Sequence, residues 1–333
     1  MAVLLLGVSF AVVLAGALLF TNAVEWIGHK LRMGEGAVGS ILAAVGTAMP
    51  ETLIAIVALV SATEGSEEVA VGAIIGAPFL LGTLAMGLVG LFAYLYRERR
   101  STGVRLDAHG PTLERDLVFF LGFFTLGGLL AWGPPAAVRV PVGIAFVLAY
   151  FLYIARTLRG GGEVQEEETL NPLVFDPRSE RRADPALVLC LVQLLVGLGA
   201  MVGGAHLFVE ELVHLAESIG VEALVLSLIL APLATELPEK VNSFFWVREN
   251  KDALALGNIT GAMVFQSTIP VGIGLIFTGW ELSGNAILSV ALGVAGGILA
   301  YESLHRSGRF KPPAVVGWFA LYAAFIAVVV IGA

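Results

Sequence analysis

The stretch Gly46-Thr47-Ala48-Met49-Pro50-Glu51 returns later in the chain as Ala234-Thr235-Glu236-Leu237-Pro238-Glu239. Its threonine, proline and glutamate all recur at a separation of 188 residues, and the same separation pairs Phe20 with Phe208. Both copies lie in apolar stretches long enough to cross a bilayer, where a carboxylate is costly and a proline breaks the helix. The repetition of both features predicts a membrane transporter with an ion-handling site.

The composition is that of an integral membrane protein. The mean hydropathy is +0.88, and 57% of the residues are hydrophobic while only 14% are charged, which is more apolar than a soluble domain of this length. A hydrocarbon core of roughly 30 Å needs about 20 mostly apolar residues per helix. The sequence therefore predicts an all-α membrane protein with ten spans, at about residues 2–24, 38–62, 68–96, 117–133, 140–156, 186–209, 222–247, 253–278, 283–301 and 313–332.

Lysine and arginine segregate to one side of these spans. The loops after odd-numbered spans hold 17 of the 19 basic residues, whereas the opposite side has Arg139 alone and Lys240 lies within a span. Because basic loops stay in the cytoplasm, the pattern predicts a protein of the cell membrane with both termini outside and residues 157–185 in the cytoplasm.

The polar segment 157–185 divides the chain into two halves. It contains three consecutive glycines and several glutamates, a composition typical of a linker. The predicted organisation is a first five-helix repeat at residues 1–156, the linker, and a second repeat at 186–333. An odd number of spans per half makes the second repeat enter the bilayer from the opposite side, so the predicted topology is inverted and the two phrases face each other at similar depth.

The repeated phrase offers oxygen ligands for a cation. Pro50 and Pro238 lack an N–H and free the carbonyls one turn earlier, and Glu51 and Glu239 are each expected to begin a half-helix after the proline. Carboxylates, hydroxyls and free carbonyls form the hard-oxygen set that suits Ca²⁺. The alternative interpretation is that each proline only kinks its helix and each glutamate is protonated or paired.

The second copy alone carries Glu236 and Lys240. Their i, i+4 spacing puts them on one helical face, with the glutamate N-terminal to the lysine. One interpretation is an ion pair that lowers the cost of burying both charges. The other is that Glu236 supplies a third carboxylate while Lys240 acts as a tethered cation. The sequence leaves both open.

These residues resemble the sodium/calcium exchanger superfamily of cation antiporters over nearly the whole chain. The repeats of that family carry Gly-Thr-Ser-x-Pro-Glu and, about two dozen residues later, Gly-Asn-x-x-Gly-Ser-Asn-x-x-Asn/Asp. The matching residues are Thr47, Pro50 and Glu51, then Thr235, Pro238 and Glu239, and finally Gly257, Asn258 and Gly261. The resemblance implies that the two glutamates coordinate Ca²⁺ and Na⁺ alternately at the membrane midplane, aided by threonine carbonyls and hydroxyls.

The chain departs from these motifs and is identified as a divergent member. Ala48 and Glu236 replace the serine of the first phrase, and apolar residues stand at expected hydroxyl or amide positions at Ala77, Leu81 and Ala262. Gln266 keeps the terminal ligand position of the second phrase. The predicted metal-ligating residues are Thr47, Glu51, Thr235, Glu236, Glu239 and Gln266.

The leading functional hypothesis is a secondary active antiporter that exports Ca²⁺ or another divalent cation in exchange for Na⁺ by alternating access. One alternative is a proton-coupled exchanger in which Glu51, Glu236 and Glu239 carry protons, since protons need only carboxylates of raised pKa. Another is an exchanger fold that no longer transports and acts as a scaffold or sensor. Neither His-Glu-x-x-His nor Gly-x-Ser-x-Gly occurs, which argues against an enzyme.

The expected partners are inorganic cations and the lipid bilayer. No basic run has interleaved aromatic residues, so nucleic acid is not expected as a partner. Neither a resident cofactor nor an oligomer is required by the predicted mechanism. The cations are substrates rather than cofactors.

Overall fold

The computed structural model describes residues 1–30, 43–61, 63–107, 111–159, 171–176, 185–307 and 309–332. Within these ranges the chain forms ten helices: α1 Ala2–Lys30, α2 Ala43–Ser61, α3 Ser66–Leu95, α4 Pro111–Leu129, α5 Ala136–Arg159, α6 Leu187–Ile219, α7 Ala223–Arg248, α8 Asp252–Phe277, α9 Gly284–Ser307 and α10 Pro312–Gly332. Two short antiparallel strands, β1 Leu106–Asp107 and β2 Arg309–Phe310, pair with each other.

Seven of these helices are long and apolar enough to cross a membrane, among the residues that the structure describes: α1, α3, α5, α6, α8, α9 and α10. The helices α2 and α7 contain shorter apolar segments, Met49–Ser61 and Ala223–Glu236. The all-α membrane fold is confirmed. Each of the ten predicted spans corresponds to one helix, but that all ten cross the bilayer stays a prediction.

Several helix ends differ from the predicted span ends, and α6 and α4 show two forms of the difference. The helix α6 continues through Glu210 and Glu211 to Ile219 and ends at Gly220, whose φ is 70°. A span predicted from hydropathy ends at the first charged residues. The helix itself continues until a glycine in the left-handed conformation ends it. The helix α4 begins at Pro111 and ends at Leu129, earlier at both ends than the predicted span 117–133.

The expected half-helices are wrong. The helix α2 runs through Pro50, and α7 is continuous through Pro238, so Glu51 and Glu239 lie inside continuous helices. Each proline removes one backbone hydrogen bond without ending the helix, which neighbouring helices make tolerable in a membrane protein. In α3 the regular helix changes to a π-helical turn at Leu81–Ala85, shortly after Pro78.

Helices from the two halves pack closely against each other. The helices α1 and α6 cross at Gly16 and Gly197, where a Cβ on either glycine would meet the other's carbonyl oxygen at 2.8 Å. The helices α5 and α8 cross in the same way at Gly143 and Gly272. Small residues at such crossings let helix backbones approach closely. The first and second halves therefore share one buried core.

Most of the predicted linker lies outside the described residues. Its first residues, to Arg159, belong to α5. The short described part, residues 171–176, contacts α1 and α6. The indole Nε1 of Trp26 donates a hydrogen bond to the Asn171 carbonyl at 2.9 Å, and the Phe175 N–H donates to Gln193 Oε1 at 2.9 Å.

Candidate cation site

Four polar side chains are buried where α2, α7 and α8 pack together. They are Glu51 of α2, Glu236 and Lys240 of α7, and Gln266 of α8, and none is more than 3% exposed. Burying charged and amide groups is costly unless they find polar partners. These side chains are arranged to provide such partners for one another.

Gln266 links carboxylates from the two halves of the chain. Its amide Nε2 donates a hydrogen bond to Glu51 Oε1 and a second one, at 3.2 Å, to Glu236 Oε1. A side-chain amide has two N–H donors, so a single glutamine can serve both acceptors. The two carboxylates are thereby held around one common group.

Lys240 completes the cluster. Its ammonium Nζ lies 3.2 Å from Glu236 Oε2, one helical turn away on α7. The predicted contact between Glu236 and Lys240 is therefore confirmed. The two oxygens of Glu236 face different partners, the amide at one and the ammonium at the other. The described cluster contains two carboxylates and one ammonium, so its formal charge is negative when both acids are ionised.

The other predicted ligands are placed as follows. Thr235 is buried, but its hydroxyl donates to the Ala231 carbonyl at 3.1 Å, within α7 itself. Thr47 lies on α2 and Glu239 on α7, and their side chains fall outside the described part of the structure. The structure thus brings together Glu51, Glu236 and Gln266 of the six predicted residues.

The described residues of this cluster provide an incomplete ligand set for a divalent cation. Ala77 and Leu81 are fully buried apolar residues of α3, at positions where the family motif has polar side chains. Within the described ranges, no group of three or more His, Cys, Asp or Glu side chains is arranged to hold a metal ion. Ca²⁺ takes about six to eight oxygens, so two carboxylates and an amide oxygen provide only part of a complete set.

Ser243 of α7 and Asn258 of α8 form a further polar pair where these two helices are in contact. The Asn258 amide donates to the hydroxyl of Ser243 at 3.2 Å, and Ser243 is fully buried. Ser243 lies three residues after Lys240, so both side chains project from the same face of α7.

The structure contains a second buried polar cluster that no sequence pattern predicted. Asp116 of α4 is 2% exposed and accepts hydrogen bonds from the hydroxyls of Tyr153, at 2.8 Å, and Thr260, at 2.9 Å. The Arg115 guanidinium lies 3.6 Å from the same carboxylate. Asp116 directly precedes the predicted fourth span at residues 117–133, so the sequence pattern does not mark it as a buried residue. Its partners lie on α5 and α8, far away in sequence.

A water-accessible cavity of about 420 Å³ lies beside the connection between α2 and α3. Its lining includes the carboxylates of Glu64, Glu210 and Glu217 and the imidazoles of His206 and His214. The His206 ring nitrogen is 3.5 Å from the hydroxyl of Ser61, at the end of α2. The cavity therefore presents acidic side chains to water beside the end of α2.

The fold is all-α, with helices long enough to cross a membrane and a buried charged cluster between them. The chain is therefore an integral membrane protein. The family model of the sodium/calcium exchanger protein matches residues 1–159 and 189–331, and the chain belongs to this family. The resemblance seen in the sequence is thereby confirmed. The family is a transporter family.

Individual proteins are similar over most of their length. The putative antiporter CaxA of Alkalimonas amylolytica is 23% identical over 257 residues, which are 77% of this chain and 75% of that protein. The crystal structure of the H⁺/Ca²⁺ exchanger CAX gives a TM-score of 0.74 at 19% identity, covering 99% of this chain and 82% of that one. The sodium-calcium exchanger NCX_Mj gives a TM-score of 0.60 at 20% identity, covering 98% of this chain and 99% of that one. These structural likenesses establish the fold.

Proposed function

We propose that the chain is a secondary active antiporter that exports Ca²⁺ or another divalent cation in exchange for Na⁺. The observation that carries this proposal is the burial of Glu51 and Glu236, from opposite halves of the chain, around the single amide of Gln266. Carboxylates in a membrane interior are costly and mark ion pathways. Membership of the exchanger family supports the same interpretation.

The cluster offers a defined place for a divalent cation. In the described geometry the N–H groups of Gln266 lie between the two carboxylates. A cation entering there takes over their role, and the amide then rotates to present its carbonyl oxygen. Further oxygens come from the carbonyls of Gly46 and Ala234, which Pro50 and Pro238 leave without their usual N–H partner. We include Thr47, Thr235 and Glu239 in the proposed ligand set on the strength of the repeated phrase.

Alternating access follows from two halves of inverted topology. Corresponding helices of the halves contact each other, as in α1 with α6 and α4 with α9, and α4 packs on α8 as α9 packs on α3. Such reciprocal contacts are expected of repeats related by a two-fold axis in the membrane plane. With 17 of 19 basic residues in alternate loops, we place both termini outside and residues 157–185 in the cytoplasm of a cell-membrane protein.

Proton coupling is the second candidate, and one observation favours it. Ala48, Ala77, Leu81 and Ala262 remove polar side chains from expected ligand positions, which weakens a Na⁺ site more than it weakens a proton site. A proton needs only a carboxylate, and Glu51 and Glu236 are both buried. In that case the same acids alternate between a divalent cation and protons.

Flux measurements in proteoliposomes test both candidates. Vesicles containing the purified chain are loaded with Na⁺ or set to an acidic interior, and Ca²⁺ or Mn²⁺ uptake is followed after dilution. Uptake driven by the Na⁺ gradient supports the proposal, and uptake driven only by the proton gradient selects the alternative. No flux above that of protein-free vesicles under either gradient overturns both and favours a scaffold or sensor.

A further inference from the structure

Lys240 places a cation beside the carboxylates of the proposed transport site. Its side chain is fully buried, and its ammonium lies 3.2 Å from Glu236 Oε2. The other oxygen of Glu236 accepts a hydrogen bond from the amide of Gln266, which also donates a hydrogen bond to Glu51. The glutamate that Lys240 contacts is thus connected to the second acid of the site by two hydrogen bonds through Gln266, which places the lysine charge within the site itself.

The charge on Lys240 conflicts with a bound divalent cation. An ammonium against Glu236 and a divalent cation between Glu236 and Glu51 repel each other strongly in a buried setting. The lysine stem is flexible, and its ammonium is a compact point charge, so it can move to other acceptors. Ser243 and Asn258 supply oxygens beside the next turn of α7, where they are hydrogen-bonded to each other at 3.2 Å.

We propose that the ammonium of Lys240 is a monovalent cation built into the protein, and that it takes the place of one exchanged Na⁺ or H⁺ at Glu236. The ammonium leaves Glu236 when a divalent cation binds and returns when that cation is released. The returning carrier then needs about one fewer Na⁺ or H⁺ than it would with a neutral residue at position 240, because the lysine offsets one carboxylate. This inference rests on the proposed antiport and specifies its stoichiometry.

Removing the lysine leaves a vacancy that a small cation can fill. Lys240→Ala deletes the charge and opens space beside Glu236, whereas Lys240→Met deletes the charge but fills the space. A buried carboxylate stripped of its partner is strongly destabilised unless another cation takes the place. Methylammonium has the size and charge of the lost end of the side chain, so it is the probe of choice.

The experiment compares Ca²⁺ flux of the wild type, Lys240→Ala and Lys240→Met under one fixed driving gradient of Na⁺ or H⁺, while methylammonium replaces N-methylglucamine stepwise. Flux through Lys240→Ala should be at least about tenfold below wild type without methylammonium and should recover saturably as methylammonium is added. Lys240→Met should not recover. Lys251→Ala is the matched surface control, because Lys251 pairs with Glu249 at 3.2 Å and both are more than half exposed.

A parallel measurement keeps the inference separate from the proposed function. Thermal unfolding of the purified variants in detergent should show stabilisation of Lys240→Ala, but not of Lys240→Met, by methylammonium. If the wild type transports and Lys240→Ala runs at the same rate with no cation dependence, the inference fails while antiport stands. If no variant transports, antiport fails, and absence of the methylammonium shift in Lys240→Ala then rejects the inference as well.

Discussion

The two copies of the repeated phrase occupy equivalent places in α2 and α7, but their surroundings differ in chemistry. At the separations that align the repeats, the polar residues of the second half correspond to apolar or uncharged residues of the first: Glu236 to Ala48, Lys240 to Thr52, Ser243 to Ala55, Asn258 to Ala73, and Gln266 to Leu81. Ala55, Ala73 and Leu81 are buried. The first half thus contributes one described carboxylate to the cluster, and the second contributes a carboxylate, an ammonium and an amide.

This difference shows that a repeated sequence phrase does not require repeated chemistry around it. Beyond Glu51 and the buried Thr52, α2 continues with Ile54, Ala55 and Ala58, which pack into an apolar core. Beyond Glu236, α7 continues with Lys240 and Ser243. The apolar side excludes water and ions, whereas the polar side can hold a moving charge. We therefore expect the two halves to make unequal contributions to transport.

The first test asks whether α2 and α7 cross the membrane in opposite directions, an all-or-none effect. In a background carrying Cys190→Ala, which removes the only cysteine, Glu64→Cys and Glu249→Cys place single thiols at exposed positions after α2 and after α7. An impermeant maleimide should label Glu64→Cys on intact cells and Glu249→Cys only after permeabilisation. The cysteine-free parent is the control. Labelling of both from the same side contradicts the inverted arrangement.

The largest effect on transport is expected from the repeated glutamates. Glu51→Gln and Glu239→Gln each keep the side-chain volume and one carbonyl oxygen but remove a charge. Divalent-cation flux should fall by at least about a hundredfold, because the charge count of the ligands sets affinity. Expression and detergent stability should hardly change. Glu98→Gln, on a side chain 87% exposed, is the control. Normal transport by either variant would mean that the site has been misplaced.

A smaller effect on transport is expected at Glu236 and Lys240, which only the second half carries. Glu236→Ser removes the carboxylate that contacts the Lys240 ammonium, and Glu239 is then the competing partner one residue away on α7. The single variant should transport at least about tenfold more slowly than the double variant Glu236→Ser with Lys240→Ala, because a lysine that turns to Glu239 occupies a proposed cation ligand. A double-mutant cycle in liposome flux measures this. Additive effects would show that the two residues do not interact in function.

The smallest effect concerns the Asp116 cluster, outside both phrases. Tyr153→Phe removes a hydroxyl that donates to Asp116 at 2.8 Å and should lower the free energy of unfolding by about 1–3 kcal/mol. Tyr150→Phe is the matched control, since its buried hydroxyl has no hydrogen-bond partner in the described structure. Thermal unfolding in detergent compares the two. Ion selectivity should be unchanged in both, and a changed selectivity in Tyr153→Phe would extend the functional site to α4.

The sequence by itself determined the parts of this protein that depend on local pattern. Long apolar stretches identified the membrane helices, because a bilayer requires a fixed length of hydrophobic chain. The repeated phrase pointed to Glu51, and the motif position pointed to Gln266. The pairing of Glu236 with Lys240 followed from i, i+4 spacing, which is a property of one helix and needs no knowledge of the rest of the fold.

Only the tertiary structure decided which of these groups meet. Gln266 is 215 residues from Glu51 in sequence, and no local pattern specifies that its amide joins that carboxylate to Glu236. The same holds for Asp116, whose partner Thr260 is 144 residues away. The Thr235 hydroxyl bonds within its own helix, and α2 and α7 continue through their prolines. Each outcome depends on how neighbouring helices satisfy buried polar groups, which is a property of the packed assembly and not of any single segment.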